Sequence, residues 1–230
     1  MAIKIAISNH KGGVGKTTST ANIGAGLAKS RKKVLLIDLD AQANLSHCLG
    51  FGISDPDKTI YGAMRGEYTL SPYELKKNLH LVPSCLDLAG IELEIGSKIG
   101  RERILLKLIQ QIEKDYDYII MDCPPSLGLI TVNAFTAADK IYIPLQAQFL
   151  ALHGLDKLIE VMRMVKDDLN SDVSIDGVFL TQFDKRKILN RDIEESVRTH
   201  FGDKVFKTVI RDNIAIAEAP SQAKDIFEYA

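Results

Sequence analysis

A chain of 230 residues with 46% hydrophobic content is long enough for one domain with a sizeable core, and its three cysteines, Cys48, Cys85 and Cys123, are too far apart to imply a disulfide or iron–sulfur framework. The 29 Lys plus Arg against 30 Asp plus Glu leave a net charge of -1, which excludes a protein that coats polyanions by overall charge and allows only a local basic patch. No run approaches the roughly 18 to 20 apolar residues of a membrane span, and Lys4 interrupts the short apolar N-terminal run, so neither a span nor a signal peptide is expected and a cytoplasmic location is.

Short β-rich runs alternate with longer amphipathic ones, which predicts an α/β fold: a doubly wound, mostly parallel sheet with helices on both faces. The first strand, Ile3 to Ser8, runs into Lys11-Gly12-Gly13-Val14-Gly15-Lys16-Thr17-Thr18 and then a helix-compatible stretch. Glycines there allow backbone N–H groups to converge on phosphate oxygens, and the helix that follows aims its positive end at them. Lys16 supplies a point charge near the β and γ phosphates, and the Thr17 hydroxyl is a ligand for Mg²⁺. The general pattern G-x-x-x-x-G-K-[ST] fails at its first position, where His10 stands, while Lys11 adds a second cation.

The second strand, Val34 to Asp38, leads into Asp38-Leu39-Asp40, two carboxylates leaving the sheet at the edge where open α/β sheets bind ligands. Asp38 is expected to support a Mg²⁺ shell or to anchor the loop. The stretch Phe51 to Tyr73 reads as an irregular surface excursion, and Leu79 to Pro83 as the next strand. Tyr118 to Asp122 is an apolar strand ending in Asp122-Cys123-Pro124-Pro125. Asp122 is placed to accept hydrogen bonds from water on Mg²⁺, and the prolines restrict the loop beside the γ-phosphate. Lys140 to Pro144 and Gly177 to Gln182 are further strands, separated by a helix over Ala151 to Lys166 with Leu152, Leu155, Ile159 and Met162 on one stripe. In Asp184 to Arg211 basic residues outnumber acidic ones, and Lys185, Arg186, Lys187 and Arg191 are the candidate polyanion contacts; Val205 to Val209 is the last predicted strand. The five histidines show no metal-ligand spacing.

Asn9 to Thr18, the Asp-x-Pro-Pro segment at Asp122, Ala41-Gln42-Ala43-Asn44, Gln146, Gln148 and Glu218-Ala219-Pro220-Ser221 together resemble the ParA/Soj branch of the deviant Walker A ATPases, from about Ile3 to the last residue. The resemblance implies a single ATPase domain over 1–230, of P-loop NTPase type, that uses ATP and Mg²⁺. Residues 11–18 are its nucleotide loop. Lys11 crosses to the partner's nucleotide in an ATP-bound homodimer, where two facing triphosphates need cations beyond their own cradles. Asp40 matches the residue that orients the attacking water, so Lys11, Lys16 and Asp40 are the expected catalytic set. Thr17, Asp38 and Asp122 are the expected metal set. The branch binds double-stranded DNA without sequence preference, answers to a ParB-type stimulatory protein and is nucleoid-associated, and Arg186 matches a basic position on its DNA-binding face.

Two departures bear on these expectations. Arg211-Asp212-Asn213-Ile214-Ala215 stands where the branch commonly has Pro-Arg-Asn-x-Arg, and the chain stops at Ala230 where its members usually continue with one more helix. The alternatives are a spatial organiser acting on a membrane, as in the MinD group, or on a protein assembly, and a biosynthetic enzyme of the same superfamily. The last ten residues form no basic amphipathic helix, which weighs against a membrane partner. Cluster carriers would need paired cysteines.

Overall fold

The computed structural model describes residues 1–51, 58–148 and 155–230. The strands are β1 (Ile3–Ile7), β2 (Val34–Asp38), β3 (Tyr73–Lys76), β4 (Leu79–Val82), β5 (Tyr118–Asp122), β6 (Lys140–Gln146) and β7 (Ser174–Thr181). They form one sheet in the order β3-β4-β2-β5-β1-β6-β7, parallel throughout except for the antiparallel pair β3 and β4 at one edge. The helices are α1 (Lys16–Lys29), α2 (Asn44–Cys48), α3 (Ile60–Arg65), α4 (Ile91–Ile95), α5 (Ile104–Gln110), α6 (Leu129–Ala137), α7 (Leu155–Asp168), α8 (Ile188–Phe201), α9 (Ile214–Glu218) and α10 (Ile226–Tyr229).

The central strands are apolar throughout because both faces are covered. Alternate residues of β2 go to opposite cores: Leu35 and Ile37 join one cluster with Met121, Phe135 and Ile141, whereas Val34 and Leu36 join the other with Ile5, Ile7, Ala21 and Ala25 of α1. The four β2 side chains Val34, Leu35, Leu36 and Ile37 are fully buried, and each contributes roughly 1.5–3 kcal/mol by leaving water. Helix α1 lies close on the sheet because Gly24 faces Leu36; a Cβ there would meet a Leu36 methyl at 2.6 Å.

Three adjoining strands set the site. Ile7 of β1 is level with Asp122 of β5, and Asp122 is level with Asp38 of β2. Their C-terminal ends therefore open onto one edge, with the phosphate loop leaving from β1 and an acid standing at the end of each neighbour.

The structure differs from the sequence expectation over one expected strand and at several element boundaries, and one expected helix start lies outside the described residues. Val205 to Val209 is not a strand: Phe206 N donates to Val178 O and Ile210 N to Leu180 O, so the chain takes four steps while β7 takes two, and only the isolated bridges Val178–Val205 and Phe183–Arg211 form. The excursion from 51 to 73 contains α3, which ends at the left-handed Gly66, and residue 73 begins β3; residues 52–57 lie outside the described residues. The helix expected from 151 is seen as α7 from Leu155, the preceding residues 149–154 lying outside the described ones. Strand β7 begins earlier than expected, at Ser174.

Candidate functional site: a phosphate loop flanked by buried acids

Gly13 and Gly15 have φ of 73° and 87°, a region that L side chains rarely adopt, so the loop's path requires glycine at both. A Cβ at Gly12 or Gly13 would meet nothing within 4 Å, so the space beside them is open. The loop is anchored from three directions. Buried Asn9 donates from Nδ2 to Pro144 O at 2.8 Å and accepts the Lys11 N–H at 3.0 Å. Thr181 Oγ1 donates to Val14 O at 2.8 Å, and Gln182 Nε2 donates to Gly13 O at 3.1 Å. The Lys16 ammonium folds back to Lys11 O at 3.2 Å. Burial lowers the Lys16 pKa, while the nearby Asp122, Cys123 and Asp40 oppose that shift.

Thr17 and Thr18 occupy the first turn of α1, half-buried. Lys11 is half-buried. The Nδ1 atom of His10 is buried with no hydrogen-bond partner among the described residues.

Asp122 is fully buried. Its Oδ1 accepts from Thr20 Oγ1 at 3.2 Å, and its Oδ2 has no partner among the described residues. Burial first, then the neighbouring Asp38, pushes its pKa up to about 8, against the pull of Thr17, Lys16 and Thr20. A buried carboxylate oxygen without a partner beside the Thr17 hydroxyl suits a hydrated Mg²⁺, which takes one or two protein oxygens and the rest from phosphate and water.

Asp38 is also fully buried, and both its oxygens have partners. Its Oδ2 accepts from Ser46 N at 2.9 Å and Ser46 Oγ at 2.7 Å, and its Oδ1 accepts from Asp40 N at 3.2 Å. Burial raises its pKa to about 6 against these hydrogen bonds. Of the two expected roles, the geometry gives it loop anchoring. Asp40 stands half-exposed at the mouth, with Oδ1 accepting the Gln42 N–H at 3.0 Å; its backbone carbonyl takes Ala43 N, and Ala43 turns at φ 52°. Cys123 is fully buried in the larger core cluster, and Cys123 N donates to Ile7 O.

Beside the loop, a groove of about 830 Å³ runs along α1 and is bordered by Thr18, Ile23, Gln182, Arg211, Asp212 and Asn213. The basic residues lie apart from the acids, beyond the end of β7. Lys185, Arg186, Lys187 and Arg191 are all exposed, and so are Ile188 and Leu189 among them. Asp184 pairs with Arg186 at 2.9 Å, and the Arg186 hydrogen bonds hold the Asp184 carboxyl down at about 2. Lys185 and Arg186 line a second cavity, of about 440 Å³, with Arg211 and Ile214. Asn190, almost fully buried, fixes this segment by accepting the Asp184 N–H at 2.8 Å and donating to Ala147 O at 2.6 Å.

Asn190, Thr181 and Gln182 carry structural weight that sequence reasoning did not assign. Thr181 and Gln182 stand at the C-terminal end of a predicted strand, on the ligand edge, and that position was the available signal.

Among protein families, a family described as an AAA domain matches residues 2–175. The chain is 43% identical over 228 residues to the sporulation initiation inhibitor protein Soj of Bacillus subtilis, covering 98% of this chain and 90% of that protein. It is 42% identical over 230 residues to the chromosome partitioning protein ParA of Caulobacter vibrioides, covering 98% and 86%. Of solved structures, a cobyrinic acid a,c-diamide synthase from Mycobacterium smegmatis with bound ADP and magnesium aligns with a TM-score of 0.87 at 33% identity, over 97% of this chain and 93% of the other. A plasmid partition protein from Borrelia burgdorferi bound to AMPPNP aligns with a TM-score of 0.84 at 26% identity, over 100% and 96%.

Proposed function

This chain belongs to the ParA/Soj family of partitioning ATPases, which use ATP and Mg²⁺, and from that premise we propose that ATP closes two copies face to face, that the closed pair holds DNA without sequence preference, and that hydrolysis, stimulated by a ParB-type protein, releases it. The observation that carries this reading is the convergence, on three adjoining strand ends, of the glycine loop, the unpartnered oxygen of Asp122 and the Asp38-anchored loop bearing Asp40.

The loop amides from Gly12 to Thr18 and the Lys16 ammonium bind the phosphates, with Lys16 leaving Lys11 O to do so. Thr17 and Asp122 would hold Mg²⁺, directly and through water. When bound, that ion neutralises charge on the phosphate oxygens. Asp40 positions the attacking water: its second oxygen, Oδ2, accepts no hydrogen bond among the described residues, and Asp38 holds the backbone that aims it. Asp38 itself contributes from the second layer, its oxygens being taken by Ser46 and Asp40. Lys11 supplies the cation to the facing protomer's phosphates, a role for which its half-buried side chain remains accessible.

Lys185, Arg186, Lys187 and Arg191 form the DNA face, with Arg211 beside them. One subunit offers few phosphate contacts, whereas a pair doubles them, and non-specific affinity rises steeply with that number. Dimerisation thus acts as the DNA switch in a chain of net charge -1. A nucleoid-associated protein in the cytoplasm follows.

The likeness to a diamide synthase favours a second reading, a small-molecule enzyme using the groove along α1. Sizing the purified protein with ATP and Mg²⁺, then adding duplex DNA across a salt series, separates the two. The partitioning reading expects a doubled mass and salt-sensitive DNA retention in ATP but not ADP. A protein that stays single with ATP and ignores DNA overturns it.

A further inference from the structure

The phosphate cradle is held open by two side chains outside its own motif. We propose that Thr181 and Gln182, at the end of β7, are positioning residues that aim the amides of Val14 and Gly15 at the phosphates, and that Gln146 orients Gln182 for this task. The proposal rests on the reading of residues 11–18 as a nucleotide cradle and adds to it the groups that set its shape.

The argument begins with the peptide unit. In a planar trans peptide the C=O and the next residue's N–H point in opposite directions, so fixing one fixes the other. Gly13 O shares its peptide with Val14 N–H, and Val14 O shares its peptide with Gly15 N–H. Gln182 Nε2 holds Gly13 O at 3.1 Å and Thr181 Oγ1 holds Val14 O at 2.8 Å, two successive carbonyls drawn to the same strand end. The two partner amides are thereby turned away from that strand end, and among the described residues neither donates to a protein acceptor. An isolated glycine-rich loop would spread over many conformations, since Gly13 and Gly15 both sit at positive φ and little else restrains them. Holding the carbonyls beforehand removes that cost from binding.

Thr181 is suited to this because it is buried, 3% exposed, and its hydroxyl has Val14 O as its partner. Gln182 is exposed, and its backbone turns at φ 49°, out of the extended conformation of β7. Its amide has two ends to assign. Gln146, level with Thr181 across the β6–β7 pair, donates its Nε2 to Gln182 Oε1. That contact commits the oxygen of Gln182 to Gln146 and leaves the nitrogen for Gly13 O.

The test compares Thr181→Val, which keeps the shape and loses the donor, with Thr181→Ser, which keeps the donor, and with Gln182→Leu at the exposed site. ADP and ATP affinities are measured by titration, and the amide shifts of Val14 and Gly15 are followed by NMR on adding ADP. Thr181→Val and Gln182→Leu are expected to weaken both nucleotides by about five- to tenfold, the scale of one lost hydrogen bond. Thr181→Ser should stay within about twofold of the parent. The ADP-induced shifts of the Val14 and Gly15 amides should shrink in the two weakened variants, a signature that a general loss of stability would not give. Should Thr181→Val fail to fold, Gln182→Leu carries the same measurements. Parental affinity in both Thr181→Val and Gln182→Leu, or a Thr181→Ser as weak as Thr181→Val, or unaltered amide shifts, overturns the assignment while leaving the nucleotide reading intact. A parent that binds neither nucleotide overturns that reading as well.

Discussion

Helices α1 and α8 have the same length, 14 residues, and each follows a loop at the C-terminal edge of the sheet, yet they are built for opposite purposes. Seven residues of α1 are buried, from Lys16 to Ala28, and its entry is tied to β6 and β7 by side-chain hydrogen bonds. Only Asn190 and Val197 of α8 are buried, and its entry presents Lys185, Arg186 and Lys187 to solvent. The first arrangement holds groups that must not move relative to a phosphate. On the proposed reading, the second offers charges that exchange water for DNA and back again. The difference is one of desolvation: buried groups give precise placement at the cost of narrow tolerance, while exposed cations give affinity that depends on salt and number.

The contrast is tested hardest at the α1 side. Lys16→Ala should abolish measurable nucleotide binding in a titration, because the loop loses its only buried cation among the described residues. Asp40→Ala should leave ATP affinity and ATP-driven dimerisation in place while turnover falls by roughly 10²- to 10³-fold, the scale of a lost water-positioning group; parental turnover in a phosphate-release assay would remove Asp40 from the mechanism. On the α8 side the effects should be graded. Lys185→Ala, Arg186→Ala and Lys187→Ala are each expected to weaken duplex retention modestly and to reduce the salt slope by about 1, with ATP hydrolysis alone unchanged. Asn190→Ala joins the two regimes: it strips partners from Asp184 N and Ala147 O and should cost about 1–3 kcal/mol in denaturant unfolding.

The last effect concerns pH. Asp38 and Asp122 carry pKa values raised by burial to about 6 and about 8, so folding favours their neutral forms. Their contribution to stability is full below the ordinary carboxylate value of 3.8 and is lost as pH climbs through those raised values. The nucleotide-free protein should therefore melt at a lower temperature near pH 8 than near pH 5, read by thermal unfolding across that range. Asp122→Asn should flatten the upper part of that slope.

The α1 side was legible in the sequence because its chemistry restricts residue types: glycine where φ is positive, lysine and threonine at the helix start, acids where apolar strands end. Asp38, Asp40 and Asp122 could be placed from strand ends alone, since parallel strands bring their C-termini to one edge. What separates Asp38 from Asp122 was not legible, because it depends on Ser46 reaching back from α2 to one acid and not the other. Strand β3, Tyr-Glu-Leu-Lys, lacks an apolar run because it is an edge strand with no fully buried residue. Conversely, Val205 to Val209 has the composition of a strand, yet its bonds to β7 are too widely spaced for a continuous ladder. Gln182 and Thr181 were hidden for another reason: their partners are backbone carbonyls, which leave no mark in sequence.

The order of the strands has one last consequence. Strand β1 separates a wing of β5, β2, β4 and β3 from a wing of β6 and β7. Asp38 and Asp122 belong to the first wing and the exposed basic residues follow the second; the loop after β1 is tied to the second wing through Asn9, Thr181 and Gln182, while the end of β1 itself is bonded to the first through Cys123 N to Ile7 O. Whatever fills that loop therefore sits at the strand that joins the two wings.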